Sequence, residues 1–248
     1  MLHLKGLSKK FNGMHVLHRF SAQVDKEDFV VIMGHNGAGK STLFDLISGK
    51  TPLDEGSIEV DGMNLASLPE RKRAQFVGRL FQNTYLGSCC NLTIRENLAM
   101  AHLKGRKAGL GRGSKKCTEE MVETLLKPLN LNLEKLIDLP MGALSGGQRQ
   151  IISFLIATLI PPKIMLLDEP TAALDPETAT KLLLFAIDYA KKEGIPTLLI
   201  THDPMIAKHL GNRLWILKSG GIEREFGPEK SLMNPQDLVH PILYEQLR

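Results

Sequence analysis

The chain has 248 residues, 43% of them hydrophobic, and its 31 basic and 27 acidic side chains leave a formal net charge of +4. That apolar content is enough to build a full core for one large or two small domains, which excludes a disordered chain, and the charge balance is too even to argue for a nucleic-acid partner. The longest apolar run, Ile151 to Ile160, is interrupted by Ser153 and Thr158 and stopped by Pro161-Pro162, well short of the ~20 residues of a membrane span.

The N-terminal stretch "MLHLKGLSKKF" lacks the basic start, apolar core and small-residue cleavage site of a signal peptide, so the expectation is a cytoplasmic chain. "LHLKGL" and "HRFSAQV" read as short strands, with Asn12-Gly13 as a turn between them. "FVVIM" is a continuous apolar run of strand length that ends at Gly34, and a helical pattern begins at about Ser41. "IMLLD" (Ile164 to Asp168) and "TLLIT" (Thr197 to Thr201) are runs of the same kind. Strands buried on both faces of a parallel sheet look like this, and their C-terminal ends bring Gly34, Asp168 and Thr201 to one edge, where open α/β sheets bind ligands. Between the last two strands lies a helix marked by Asp175 as N-cap and Pro176 at its first position, with Ala179, Leu182, Leu183, Ala186 and Ile187 on one face. Residues 88–160 carry helical periodicity around Met121 to Leu126 and few strand signals. The fold class expected is α/β: one domain over 1–248, with a mainly parallel core from 1–87 and 161–248, and an inserted helical subdomain over 88–160.

Two segments carry phosphate chemistry. "GHNGAGKST", Gly34 to Thr42, fits G-x-x-x-x-G-K-S/T, in which backbone N–H groups wrap nucleotide phosphates and the following helix adds its positive end. Gly34, Asn36, Gly37, Gly39, Lys40, Ser41 and Thr42 are the binding residues; Lys40 reaches the β and γ phosphates and the Ser41 hydroxyl coordinates Mg²⁺. At the end of "IMLLDEP", Asp168 holds Mg²⁺ and Glu169 polarises the attacking water as general base. A third segment, "LSGGQRQ" (Leu144 to Gln150), reads as a helix start, because Ser145 and Gln148 have capping-box spacing. Gly146 and Gly147 have no such explanation, since glycine inside a helix costs roughly 1 kcal/mol against alanine.

The ordered set "GHNGAGKST", Gln82 in "LFQN", "LSGGQRQ", "LLDEP", "ALD" at Ala173 to Asp175 and His202 in "LLITHD" resembles the nucleotide-binding subunit of an ATP-binding-cassette (ABC) transporter. The resemblance spans Phe11 to His202. It implies a P-loop ABC ATPase fold with an N-terminal antiparallel β part. It also implies ATP and Mg²⁺ as ligands, and head-to-tail pairing of two cassettes. In that pairing Ser145, Gly146, Gly147 and Gln148 face the ATP held by the partner's phosphate loop, and Asp175 works across the interface. Gln82 contacts Mg²⁺ and the attacking water, His202 bonds the γ-phosphate, and Phe11 stacks on adenine.

Within that family the chain is similar to a bacterial import group that works with a surface lipoprotein and a branched-chain-amino-acid-type permease, with aromatic amino acids among its solutes. The implied partners are a second cassette, in the first instance an identical one, an integral membrane permease and an extracytoplasmic binding protein, with no nucleic acid. The implied location is the cytoplasmic side of the bacterial inner membrane. The basic segment Leu103 to Lys116, with six basic residues and four glycines, reads as a solvated loop or a contact for anionic headgroups. Exporter subunits and soluble cassettes acting on DNA or ribosomes are the competing classes; the expectation is that this chain carries neither the coiled-coil insertion of the DNA-repair members nor the second fused cassette usual in translation members. Cys89 and Cys90 have no metal-ligand spacing and read as reduced thiols.

Overall fold

The computed structural model describes residues 1–103, 126, 132–172, 174–235, 237 and 238. The basic segment beyond Leu103, the helical pattern before Leu126 and Ala173 lie outside the described residues.

Leu2–Phe11 (β1) and Met14–Val24 (β2) form a long hairpin. Asn12 and Gly13 both take positive φ, 50° and 81°, the requirement of a two-residue type I′ turn. The strands run further than "LHLKGL" and "HRFSAQV" suggested, because pairing across so tight a turn carries the ladder up to Phe11 and Met14. Glu55–Val60 (β4) and Met63–Asn64 (β5) complete an antiparallel sheet in the order β2-β1-β4-β5.

The second sheet holds Phe29–Gly34 (β3), Val77–Leu80 (β6), Ile164–Asp168 (β7), Thr197–Ile200 (β8), Arg213–Lys218 (β9) and Gly221–Phe226 (β10), in the order β10-β9-β3-β8-β7-β6. All neighbours are parallel except β10 on β9. β3, β7 and β8 are buried at every residue, as the continuous apolar runs require of strands covered on both faces.

The two faces feed two apolar clusters, and successive residues of β3 alternate between them. Val30 and Ile32 join Leu2, Leu4 and Leu7 of the antiparallel sheet together with Leu43, Phe44, Leu46 and Ile47 of Lys40–Ser48 (α1). Phe29, Val31 and Met33 join the other cluster. Into it Ile94–His102 (α3) inserts Ile94 and Leu98, Gly146–Thr158 (α4) inserts Ile151, Ile152, Phe154 and Leu155, and Pro176–Glu193 (α5) inserts Leu182, Leu183 and Ala186. Each of the larger side chains, Leu, Ile and Phe, contributes roughly 1.5–3 kcal/mol on leaving water. The apolar segment Ile151 to Ile160 is thus core, but its helix ends at Thr158, whose hydroxyl donates to the Phe154 carbonyl at 2.8 Å; the proline pair that follows cannot continue a helix. Among the described residues the two remaining α-helices are short, Glu70–Arg73 (α2) and Pro204–His209 (α6). Among the described residues no helix is long and apolar enough to cross a membrane.

Candidate functional site

The loop from Gly34 to Gly39 joins β3 to α1, and its shape is set by sterics. A Cβ on Gly39 (φ 99°) would sit 2.8 Å from Leu17 Cδ2 and 3.0 Å from the Val16 carbonyl; one on Gly34 would meet the Leu217 carbonyl at 2.4 Å. Both positions exclude a side chain. Gly39 is the N-cap of α1 and no side chain caps that helix, so its first N–H groups stay free to meet an anion. The Lys40 ammonium is buried and donates to the carbonyls of Gly34 (2.7 Å) and His35 (3.0 Å). Burial lowers its pKa against the opposing carboxylates of Glu169 and Asp168. The loop opens on a cavity of about 330 Å³ whose lining includes Asn36, Gly37, Gly39, Lys40, Ser41 and Thr42, with Gln82, Glu169 and His202.

The ends of β6, β7 and β8 supply the wall opposite the loop. Gln82 follows β6, Glu169 follows β7 and His202 lies two residues beyond β8. The Gln82 amide donates to Glu169 Oε2 at 2.9 Å, and His202 Nε2 lies 2.8 Å from Glu169 Oε1. Both carboxylate oxygens are therefore held. Glu169 achieves this position with φ at 45°, a left-handed conformation that non-glycine residues adopt at a cost of roughly 1–3 kcal/mol and that clusters at functional sites. Asp168, at the buried end of β7, accepts from Arg79 Nη2 at 3.1 Å through Oδ2. Burial raises its pKa even with that guanidinium beside it.

Arg79 is the residue that reading the sequence did not single out. Its side chain is buried and bonds Asp45 Oδ1 (2.6 Å) and Ser48 Oγ (3.0 Å) of α1 while it bonds Asp168, between the rings of Phe44 and Phe81. It ties the helix of the phosphate loop to the strand that ends in the two carboxylates. In "VGRLFQN" nothing distinguishes it from a surface arginine. Val16 of β2, which lines the cavity, was equally unmarked.

The remaining residues named from the sequence do not line this cavity. Ser145 Oγ accepts the Gln148 N–H at 3.2 Å and Gln148 Oε1 accepts the Ser145 N–H at 3.1 Å, so the capping box forms as its spacing predicts. Gly147 meets the chain's own structure: a Cβ there would lie 3.3 Å from Thr178 Cγ2 and 3.4 Å from Leu174 Cδ2. Asp175 caps α5, accepting the Thr178 N–H at 3.0 Å, and that bond holds its carboxyl below the usual value. Phe11 ends β1 with 45% of its surface exposed, and Lys9 Nζ lies 5.5 Å from its ring centroid.

The donor set suits a hard cation. The Ser41 hydroxyl, the Gln82 amide and the Asp168 carboxylate offer oxygen, and Arg79 occupies only Oδ2 of Asp168. No cluster of three or more His, Cys, Asp or Glu ligands exists among the described residues. Mg²⁺ needs no such cage, since it binds through one or two carboxylates, with water and substrate phosphates filling most of its other positions.

A family model described as ABC transporter matches residues 17–172. The chain is 39% identical over 253 aligned residues to the tyrosine transport ATP-binding protein of Clostridioides difficile (strain R20291), covering 98% of this chain and 99% of that one. It is 34% identical to the glutamine transport ATP-binding protein of Escherichia coli (strain K12), covering 95% of each. Among solved structures, a dimeric ATP-binding cassette in a post-hydrolysis state bound to ADP and Pi superposes with a TM-score of 0.78 at 30% identity, over 92% of this chain and 99% of that one. The ADP conformation of another transporter cassette superposes with a TM-score of 0.80 at 28% identity, over 100% of this chain and 98% of that one.

Proposed function

The chain belongs to the ABC transporter family as an ATP-binding subunit, an ATPase of an importer, and from that premise we propose that it powers uptake of an amino acid of aromatic type through a separate membrane permease. The solute rests on the 39% identity to a tyrosine transport protein over nearly the whole chain. The chemistry rests on one observation: Gln82 and His202 grip the two oxygens of Glu169 at the mouth of the phosphate loop.

In this reading the N–H groups of the loop and of α1 hold the phosphates, with Asn36, Gly37 and Thr42 around them and Lys40 turning from the loop carbonyls to the β and γ phosphates. Ser41, Asp168 and Gln82 would hold Mg²⁺, which would neutralise charge on those phosphates. Glu169 takes a proton from the attacking water as the water oxygen bonds to the γ phosphorus; the bond to the β–γ bridging oxygen breaks, leaving ADP and inorganic phosphate. His202 fixes the Glu169 carboxylate and contacts the γ-phosphate. Phe11 stacks on adenine. Ser145, Gly146, Gly147 and Gln148 close over the ATP of a second, identical subunit, with Asp175 at the same interface, so that two ATP join two chains head to tail.

The partners in this reading are the permease and an extracytoplasmic binding protein. The subunit sits on the cytoplasmic face of the membrane with no nucleic acid bound. Gentle purification of the tagged chain from native membranes tests it: a multi-span permease and a surface binding protein that takes up tyrosine or tryptophan are expected. Recovery with ribosomes or DNA instead would withdraw the transport role and leave the ATPase.

A further inference from the structure

Two consecutive residues of α4 hold the segment that carries Gln82 from both sides. Gln150, 2% exposed, donates from Nε2 to the carbonyl of Phe81, the residue before Gln82, at 3.3 Å. Arg149, 5% exposed, stacks its guanidinium on the ring of Tyr85, three residues after Gln82, at 4.1 Å from the centroid. The same guanidinium donates from Nη2 to the carbonyl of Leu144 at 2.7 Å, and Leu144 leads directly into the Ser145 cap. A buried cation needs compensation. Among the described residues no carboxylate pairs with Arg149 and its Nε has no hydrogen-bond partner, so the Leu144 carbonyl and the π face of Tyr85 supply it.

Tyr85 itself is 57% exposed. A turn in which Asn83 Oδ1 accepts the Tyr85 N–H at 3.0 Å and the Asn83 carbonyl accepts the Leu86 N–H at 2.9 Å aims it. The core does not require an aromatic ring there; what the ring touches is Arg149. We propose that Tyr85 is a positioning residue: its ring clamps Arg149, Arg149 fixes Leu144 and hence the Ser145-Gly146-Gly147 turn, and a displacement of Gln82 against Glu169 is thereby carried to the surface that closes on the second ATP. The inference rests on the head-to-tail pairing proposed above.

The test uses the full chain with Glu169→Gln, in which ATP-bound dimers accumulate, and reads the dimer dissociation constant by sedimentation. Losing the clamp lowers the fraction of Ser145-Gly146-Gly147 turns in the closing conformation by about threefold per chain, and two turns enter each dimer, so Tyr85→Ala weakens dimerisation roughly tenfold. Tyr85→Phe, which keeps the ring, stays within about twofold of the parent. Affinity of the single chain for a fluorescent ATP analogue does not move, and the melting temperature of Tyr85→Ala falls by no more than about 5 °C, as loss of one cation–π contact requires, which separates positioning from a structural defect. Should Tyr85→Ala fail to fold, Tyr85→Leu replaces it with the same expectation. Dimerisation of Tyr85→Ala equal to the parent, or Tyr85→Phe as weak as Tyr85→Ala, overturns the proposal. If the Glu169→Gln parent forms no dimer with ATP, the head-to-tail reading falls and the proposal with it; a parent that dimerises confines any failure to Tyr85.

Discussion

Glu169 illustrates how one residue can be over-determined by its surroundings. Its φ of 45° turns the chain sharply at the end of β7, so that Glu169 points out between Gln82 and His202 while Asp168, one residue earlier, stays in the sheet against Arg79. Adjacent carboxylates thus acquire different surroundings, one dry and charge-paired, the other at the cavity wall. Glu169→Gln keeps the size and can still accept a hydrogen bond, but it cannot take a proton at neutral pH. The expectation is nucleotide affinity within about threefold of the natural chain, and turnover lowered by two to four orders of magnitude, in line with the roughly 10²–10⁴-fold contributed by a positioned base. Steady-state phosphate release with parallel ATP binding measures both, and undiminished release would remove Glu169 from the base role.

At the scale of elements, α1 and α4 begin in opposite ways. α1 starts at a glycine with positive φ and no side-chain cap, leaving its N–H groups to a ligand. α4 starts at Ser145 with a complete capping box, so its first turn is rigid before any ligand arrives. Ser145→Arg removes the box, at a cost of about 1 kcal/mol, and sets a bulky cation on the surface proposed to face the second subunit. Single-chain ATP binding should be spared while ATP-driven dimerisation and ATPase activity fall at least tenfold, an effect larger than the cap alone explains. Normal ATPase activity in this variant would contradict the head-to-tail arrangement. The cap on α3, a Thr93–Glu96 box of the same kind, offers a comparison: losing it costs similar stability and leaves dimerisation intact.

At the scale of the whole molecule, the apolar cluster shared by the two sheets is bordered by a polar network at the turn that links them. Asp28, in the turn from β2 to β3, accepts from Arg213 Nη1 (2.6 Å) and Asn212 Nδ2 (2.8 Å) at the start of β9, and Arg213 Nη1 also donates to the Gln23 carbonyl at 2.8 Å. Burial pushes the Asp28 carboxyl up, but the Asp25 N–H, Asn212 and Arg213 outweigh it and hold the pKa below its ordinary 3.8. With the folded pKa below the unfolded one, the stabilisation is complete above the unfolded value and is lost as pH falls through the folded one. The urea midpoint should therefore decline as pH drops below about 4. Asp28→Asn, whose side chain does not titrate, should decline less over the same range; identical pH profiles would show that this network carries no linked proton.

The phosphate loop, the strand ends at Gly34 and Asp168, the Asp175 and Ser145 caps and the Asn12-Gly13 hairpin were all determined by the sequence alone. Each is local: a few consecutive residues restrict φ, satisfy a helix end or sustain a buried strand, and no distant partner has to be known. The polar contacts behind the site were decided only by the tertiary structure. Arg79 and Asp168 stand 89 positions apart in the chain, and Gln150 lies 69 positions from the Phe81 carbonyl it binds. Arg79, Tyr85 and Arg149 have no periodicity or spacing that marks them. What distinguishes them is burial of a charge and the few groups that compensate it, and those neighbours exist only once the sheet has brought β6, β7 and α4 together.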